Sequence, residues 1–267
     1  MVAGRVQEHL LGVQEWTGVR VHLGGPGIVL VTCRGRLDVV AGPAASAVLS
    51  ALASDGDLVV CDLTGATGDG SRDAVDTLVA AAAPMRHWAG TFLVFVCPTE
   101  RFRDEMALRV EGNVLVTVDG AAVQAAMGEG PRAVAVARRL APSSRSSATA
   151  RDLVLQACSE WGCFGQRDAA RLVAAELVTN AVVHARTTMS FRIAYCESRL
   201  RLSVRDGSGR APRRQAPATE QLTGRGLILV SALSESWGVL PHWGGGKVTW
   251  AVMSAQVTAA KDMISLR

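Results

Sequence analysis

The sequence predicts an α/β chain in two domains, a small sheet with covering helices followed by an α+β sandwich. Three observations predict it. Short apolar runs rich in Val, Leu and Ile alternate with longer runs of helical spacing along the chain. A turn-rich break, "GEGPR" at Gly128–Arg132, interrupts the alternation near the middle. A length of 267 residues suits two ordinary domains better than one.

The elements follow in order. "VRVHL" and "GIVLVTCRG" flank a Gly-Gly-Pro-Gly turn and read as a hairpin. "VVAGPAASAVLSALAS" reads as a helix, with Gly42 and Pro43 fitting its first turn. "LVVCDL" is a short buried strand. "SRDAVDTLVAAAAPMRHW" keeps helical spacing until Pro84, and "TFLVFVC", "RFRDEMALRV", "NVLVTV" and "DGAAVQAAM" give strand, helix, strand, helix. Residues 19–127 therefore form the first domain. In the second, residues 132–256, "AVAVARRLAPSS" is extended, and "SSATARDLVLQACSEWG" is a helix with a Ser or Thr N-cap and Gly162 as its stop. "QRDAARLVAAELVTNAVVHA" is the next helix. "MSFRIAYCESRLRLSVRDGSG" alternates around Glu197–Ser198 as a hairpin with one buried face. "RGLILVSALSESWG" is a third helix and "KVTWAVMSA" the last strand.

Composition narrows the function classes. Hydrophobic residues make up 49% and aromatics 4%, which suggests a core built from Val, Leu and Ala, and nothing in the composition marks the chain as disordered. A net charge of +4 is mild, and the densest basic cluster, "RAPRRQ" at Arg210–Gln215, is too small for a nucleic-acid surface. The six cysteines, at positions 33, 61, 97, 158, 163 and 196, sit mostly in apolar runs without a C-x-x-C pair. They read as buried thiols in a reducing compartment, not as zinc ligands. With no signal-like N-terminus and no apolar run of the ~20 residues a membrane helix needs, the expectation is a cytoplasmic protein.

Three motifs of the second half carry chemistry. In "AAELVTNAVVHA", Glu176, Asn180 and His184 recur every four residues and share one helix face. Glu176 suits a general base or an orienting carboxylate, and the Asn180 carbonyl is a hard oxygen acceptable to Mg²⁺ beside phosphate. His184 has no catalytic role in this reading. "DGSG" at Asp206–Gly209 ends a strand, and a carboxylate there accepts hydrogen bonds from an exocyclic amine such as adenine's. Gly207 and Gly209 let backbone pass close to a flat ligand. "GRGL" at Gly224–Leu227 opens a helix whose free amides favour an anion. Each motif alone also fits a plainer reading: a solvated stripe, a turn, a capped loop.

Together, and in that order, E-x-x-x-N, D-x-G-x-G and G-x-G-L resemble the Bergerat (GHKL) ATP-binding fold, and within it the bacterial anti-sigma-factor serine/threonine kinases. The resemblance covers about residues 132–256, including "RLSVRDGSG", "GRGLILVSALSESWG" and "GGGKVTWAV". It implies ATP and Mg²⁺ as cofactors, Glu176 as the catalytic carboxylate and Asn180 as the metal ligand. It further implies that Asp206 holds the adenine amine beside Gly207 and Gly209, and that Gly224, Arg225 and Gly226 cradle phosphates. Arg210–Thr223 would be a lid, with Arg213, Arg214 or Arg225 meeting the terminal phosphate as bidentate donors. Members of the family also place a threonine of the last strand beside the adenine. Here "KVTW" offers Thr249, in a register shifted by one that would turn it to the other face.

Residues 19–127 resemble a STAS domain, the fold of anti-sigma-factor antagonists, through "GRLD" at Gly35–Asp38 and "LVVCDLTGAT" at Leu58–Thr67. Phosphorylatable members follow with an Asp-Ser-Ser/Thr-Gly turn. This chain has Gly70, Ser71, Arg72 and Asp73, which aligns Arg72 with the acceptor and leaves Ser71 off-register. The resemblance thus implies a domain that is not itself switched by a kinase.

The leading expectation is an ATP-dependent kinase acting on a Ser or Thr of a separate STAS-type antagonist, so controlling sigma-factor-dependent transcription. The alternative is a nucleotide-dependent binding switch that grips a sigma factor or antagonist and transfers nothing. A third is a scaffold whose two domains only dock with each other. The partners are a STAS-type antagonist, a sigma factor or both, without nucleic acid or membrane, and a homodimer is compatible with any of these.

Overall fold

A computed structural model describes residues 14–16, 18–25, 27–53, 58–68, 71–86, 88, 91–121, 123, 133–208, 225–242 and 245–255. Its architecture is mixed α/β, with two sheets and their helices. The first sheet holds β1 (Gln14–Trp16), β2 (Val19–Gly25), β3 (Ile28–Arg36), β4 (Leu58–Thr67), β5 (Phe92–Val96) and β6 (Val114–Thr117), in that spatial order. β1, β2 and β3 pair antiparallel, and β3 to β6 run parallel. Parallel neighbours need crossovers, which α1 (Leu37–Ala53), α2 (Arg72–Ala82) and α3 (Glu100–Ala107) supply. Val59, Leu93 and Phe95 from the sheet and Val48, Leu52, Leu78 and Phe102 from the helices make one core. Each such side chain contributes on the order of 1.5–3 kcal/mol by leaving water.

The helix α1 begins at Leu37, two residues before the expected run, so Pro43 lies inside it and not in its first turn. Pro43 has no N–H to offer the carbonyl of Val39, and Val39 is 54% exposed, which leaves water free to serve that carbonyl.

The second sheet is antiparallel throughout, in the order β10-β11-β9-β8-β7. Its strands are β7 (Val134–Leu140), β8 (Met189–Cys196), β9 (Arg199–Asp206), β10 (Ser236–Pro241) and β11 (Lys247–Ser254). Three helices, α4 (Arg145–Trp161), α5 (Arg167–His184) and α6 (Arg225–Leu233), accompany them. One face of the sheet gives Phe191, Ile193, Leu202, Val204, Ala251 and Met253 to a core shared with these helices. Gly162, with φ 74, ends α4 as expected, but Ser144 caps its start without a side-chain bond. The hydroxyl of Ser146 instead donates to the Ala141 carbonyl at 2.6 Å, holding the entry turn closed.

Two expectations fail in this half. "SESWG" does not continue the third helix: α6 stops at Leu233 and Ser236–Pro241 is an edge strand paired with β11. The β8–β9 hairpin is buried on both faces, with Arg192 at 7% and Arg201 at 3% exposure. The cause is docking of the first domain. Val248, Trp250 and Val252 of β11 join the core of the first sheet's helices, and Trp88 stacks on Trp250. The Arg201 guanidinium lies 4.9 Å from the Trp88 ring centroid and donates to the Thr91 hydroxyl at 3.1 Å.

Candidate nucleotide site

The helix α5 packs against β9, β11 and α6, which brings the three motifs to one region. Its apolar stripe, Ala170, Val173, Ala174, Leu177, Val178 and Ala181, is buried. Glu176 and Asn180 flank that stripe half-buried, one turn apart, and His184 at the helix end is exposed. On the other flank, the hydroxyls of Thr179 and Ser147 share a hydrogen bond of 2.8 Å that ties α5 to α4.

Glu176 turns toward α6. Its carboxylate lies against Gly226, the second residue of that helix, where an added Cβ would collide with Glu176 Oε2 and come within 3.1 Å of Cδ. A side chain at Gly226 would have to displace the carboxylate end of Glu176 from its place beside α6. An anion at this end of α6 is also favoured by the free amides and the helix dipole.

Asp206 is the last residue of β9 and is 3% exposed. Its Oδ1 accepts from the Ser208 amide at 3.0 Å, and Lys247 Nζ stands 3.1 Å from Oδ1 and 3.0 Å from Oδ2. The Gly207 amide donates to Thr187 Oγ1 at 2.9 Å, fixing the turn out of the strand. A side chain at Gly207 would meet Thr187 only at an ordinary 3.5 Å, so the protein's own packing does not demand glycine there. It does at Gly246, where φ is +84° and a Cβ would run into the Asp206 carbonyl.

Thr249 corrects an expectation. Strand alternation puts it on the face that carries Ala251 and Met253 into the helical core, and Asp206 shares that face with Leu202 and Val204. Thr249 is therefore not turned away from the site, and it is 4% exposed. Gly209, Gly224, Arg213 and Arg214, with the expected lid Arg210–Thr223, lie outside the described residues, as does the side chain of Arg225. Ser71 and Arg72 begin α2 in the first domain, where Ser71 Oγ accepts from the Ala74 amide at 3.3 Å as an N-cap.

Lys247, Ser208, Thr187 and Gly246 were not singled out from the sequence. A signal for Lys247 existed: it is one of only two lysines in the chain and directly follows three glycines.

The donor set fits a magnesium nucleotide. Glu176 and Asn180 present hard oxygens one turn apart, Gly226 lacks a Cβ at a helix start, and Asp206 is a buried acceptor. Among the described residues, no group of three His, Cys, Asp or Glu side chains is placed to hold a metal by itself, so Mg²⁺ would come with phosphate oxygens. Also among the described residues, no helix is long and apolar enough to cross a membrane.

Residues 140–253 match the family model described as a histidine kinase-like ATPase domain. The match spans the region from the end of β7 to β11 and contains Glu176, Asn180, Asp206 and Gly226. It supports an ATP-dependent, kinase-like role for this part of the chain. No curated protein matches the chain at a significant level.

Proposed function

We propose that the chain is an ATP-binding regulatory protein that phosphorylates a Ser or Thr on a separate STAS-type anti-sigma-factor antagonist, and that residues 19–127 are a STAS-like domain. The observation that carries the reading is the approach of Glu176 to Gly226, which joins a carboxylate to an anion-favouring helix start inside the ATPase-like region.

In this reading Asp206 would accept the exocyclic amine of the base, with Thr249 on the same sheet face. Asn180 would hold Mg²⁺ through its amide oxygen, and Gly224, Arg225 and Gly226 would serve the phosphates through their amides. When bound, Mg-ATP supplies the transferable phosphoryl group and the positive charge that offsets its oxygens. Glu176 orients the acceptor hydroxyl and receives its proton as the new ester forms. Arg213, Arg214 or Arg225 hold the terminal phosphate during transfer.

The test is mass spectrometry of the chain and of a panel of STAS proteins after incubation with Mg-ATP. A phosphoserine or phosphothreonine on a panel member is expected, lost in Glu176→Ala while nucleotide binding persists. Transfer by Glu176→Ala at the wild-type rate would sink the catalytic role. A second reading, a nucleotide-dependent binding switch, is favoured by the first domain's own turn: Ser71 is engaged as a helix cap and Arg72 stands in the acceptor position. ATP binding without any phosphoprotein, coupled to nucleotide-dependent partner affinity, would select it.

A further inference from the structure

The carboxylate that grips the base already carries a cation. Lys247 begins β11 and pairs in register with Asp206, so the two side chains leave the same face directly opposite each other. Gly246, just before it, passes so close to the Asp206 carbonyl that no side chain could be held there. The Lys247 ammonium reaches three oxygens: Asp206 Oδ1 at 3.1 Å, Asp206 Oδ2 at 3.0 Å and Ser208 Oγ at 2.6 Å. The Asp206 side chain is 2% exposed and that of Lys247 22%, so the pair sits at the edge of the site with its acid inside.

Hydrogen-bond capacity decides what this pair can read. An ionised carboxylate has about four acceptor positions and no donor, and an ammonium has three donors and no acceptor. Hydrogen bonds from Lys247 and the Ser208 amide occupy Oδ1, and Oδ2, which faces Lys247 as an ion pair, keeps acceptor capacity for a ligand donor. Of the three lysine contacts, the one to the neutral Ser208 hydroxyl can be given up without uncovering a buried charge. A ligand acceptor can take its place.

We infer that Asp206 and Lys247 read the purine together, as an acceptor with a donor beside it, and that Lys247 opens the site to 6-oxopurine nucleotides such as GTP as well as ATP. A lone carboxylate selects the adenine amine and repels the O6 carbonyl of guanine, because neither of those oxygens can donate. With the ammonium adjacent, a guanine seated one ring position over from adenine finds Asp206 for its ring N–H and Lys247 for O6. Adenine finds Asp206 for its amine and Lys247 for the neighbouring ring nitrogen. The inference rests on the nucleotide-binding reading of the preceding section and concerns its base specificity.

Calorimetry of the full chain with Mg-ATP and Mg-GTP tests it. The wild type should bind the two within about tenfold of each other, and Lys247→Met should lose at least about tenfold in GTP affinity relative to ATP. The ratio is unmoved by a general loss of folded protein, which weakens both equally. Lys247→Arg, which keeps charge and donors, should hold the ratio near the wild-type value, and a ratio that follows the Met variant would overturn the donor role. Wild-type binding of ATP without GTP, or an equal ratio in wild type and Lys247→Met, overturns the inference and leaves the ATP-binding reading standing. Binding of neither nucleotide to the wild type overturns both.

Discussion

The indole of Trp88 stacks on that of Trp250, with ring centroids 5.3 Å apart and planes 23° from parallel. The two residues belong to different sheets' domains, and both are buried. This contact makes β11 a two-faced strand. Lys247 and Thr249 share the sheet face of Asp206, and Val248, Trp250 and Val252 lie in the core of the first sheet and its helices. Any ligand that moves β11 acts on both.

Trp88→Ala removes the stack and the surface over which Arg201 lies, leaving a buried guanidinium against a void. Truncating a buried tryptophan costs about 3–5 kcal/mol. Urea unfolding followed by circular dichroism should show a loss of at least about 3 kcal/mol. A loss under about 1 kcal/mol would mean that the domains do not depend on this contact.

Gly226→Ala tests the approach of Glu176 to α6. In the wild-type background the new methyl displaces the Glu176 carboxylate from its place beside α6. In a Glu176→Ala background the obstacle is gone, and the substitution displaces nothing. A double-mutant cycle on thermal unfolding should therefore show coupling, with Gly226→Ala less destabilising in the Glu176→Ala background than in the wild type. Additive effects would place the carboxylate elsewhere.

What was legible in the sequence was local. The apolar runs Leu58–Leu63 and Phe92–Val96 announce buried strands, and the four-residue spacing of Glu176 and Asn180 announces a shared helix face. Gly162 announces a helix stop, and it takes the left-handed conformation that the stop needs. What was hidden depends on partners far along the chain. Ser236–Pro241 contains Gly238 and Pro241, weak strand formers, and becomes a strand through its pairing with β11, where Gly238 leaves room for the Trp250 indole. Arg201 looks like the solvent side of an alternating hairpin, yet Trp88 and Thr91, more than a hundred residues away, lie against it. Lys247 carries no motif of its own. Its contact with Asp206 is a product of strand register across 41 residues, which no local spacing encodes.

The buried thiols set a prediction at alkaline pH. All six cysteines are free and buried. Burial pushes the Cys97 thiol up to about 12, with Arg103 opposing in part. Burial, with Cys163 nearby, pushes Cys158 up to about 11. The hydrogen bond with Cys33, together with burial, holds Cys61 well above the ordinary value. In the unfolded chain these groups release their protons near the ordinary value of about 9. Below that pH both states are protonated and the thiols leave stability unchanged. Between about 9 and about 11 for Cys158, and up to about 12 for Cys97, the folded chain binds more protons than the unfolded one, so raising the pH favours unfolding. Urea midpoints should be level from pH 7 to 8.5 and fall from pH 9 upward on this account. Cys97→Ala and Cys158→Ala lose packing at every pH, yet each should show a shallower alkaline decline than the wild type. Equal slopes in all three proteins would assign the decline to other groups.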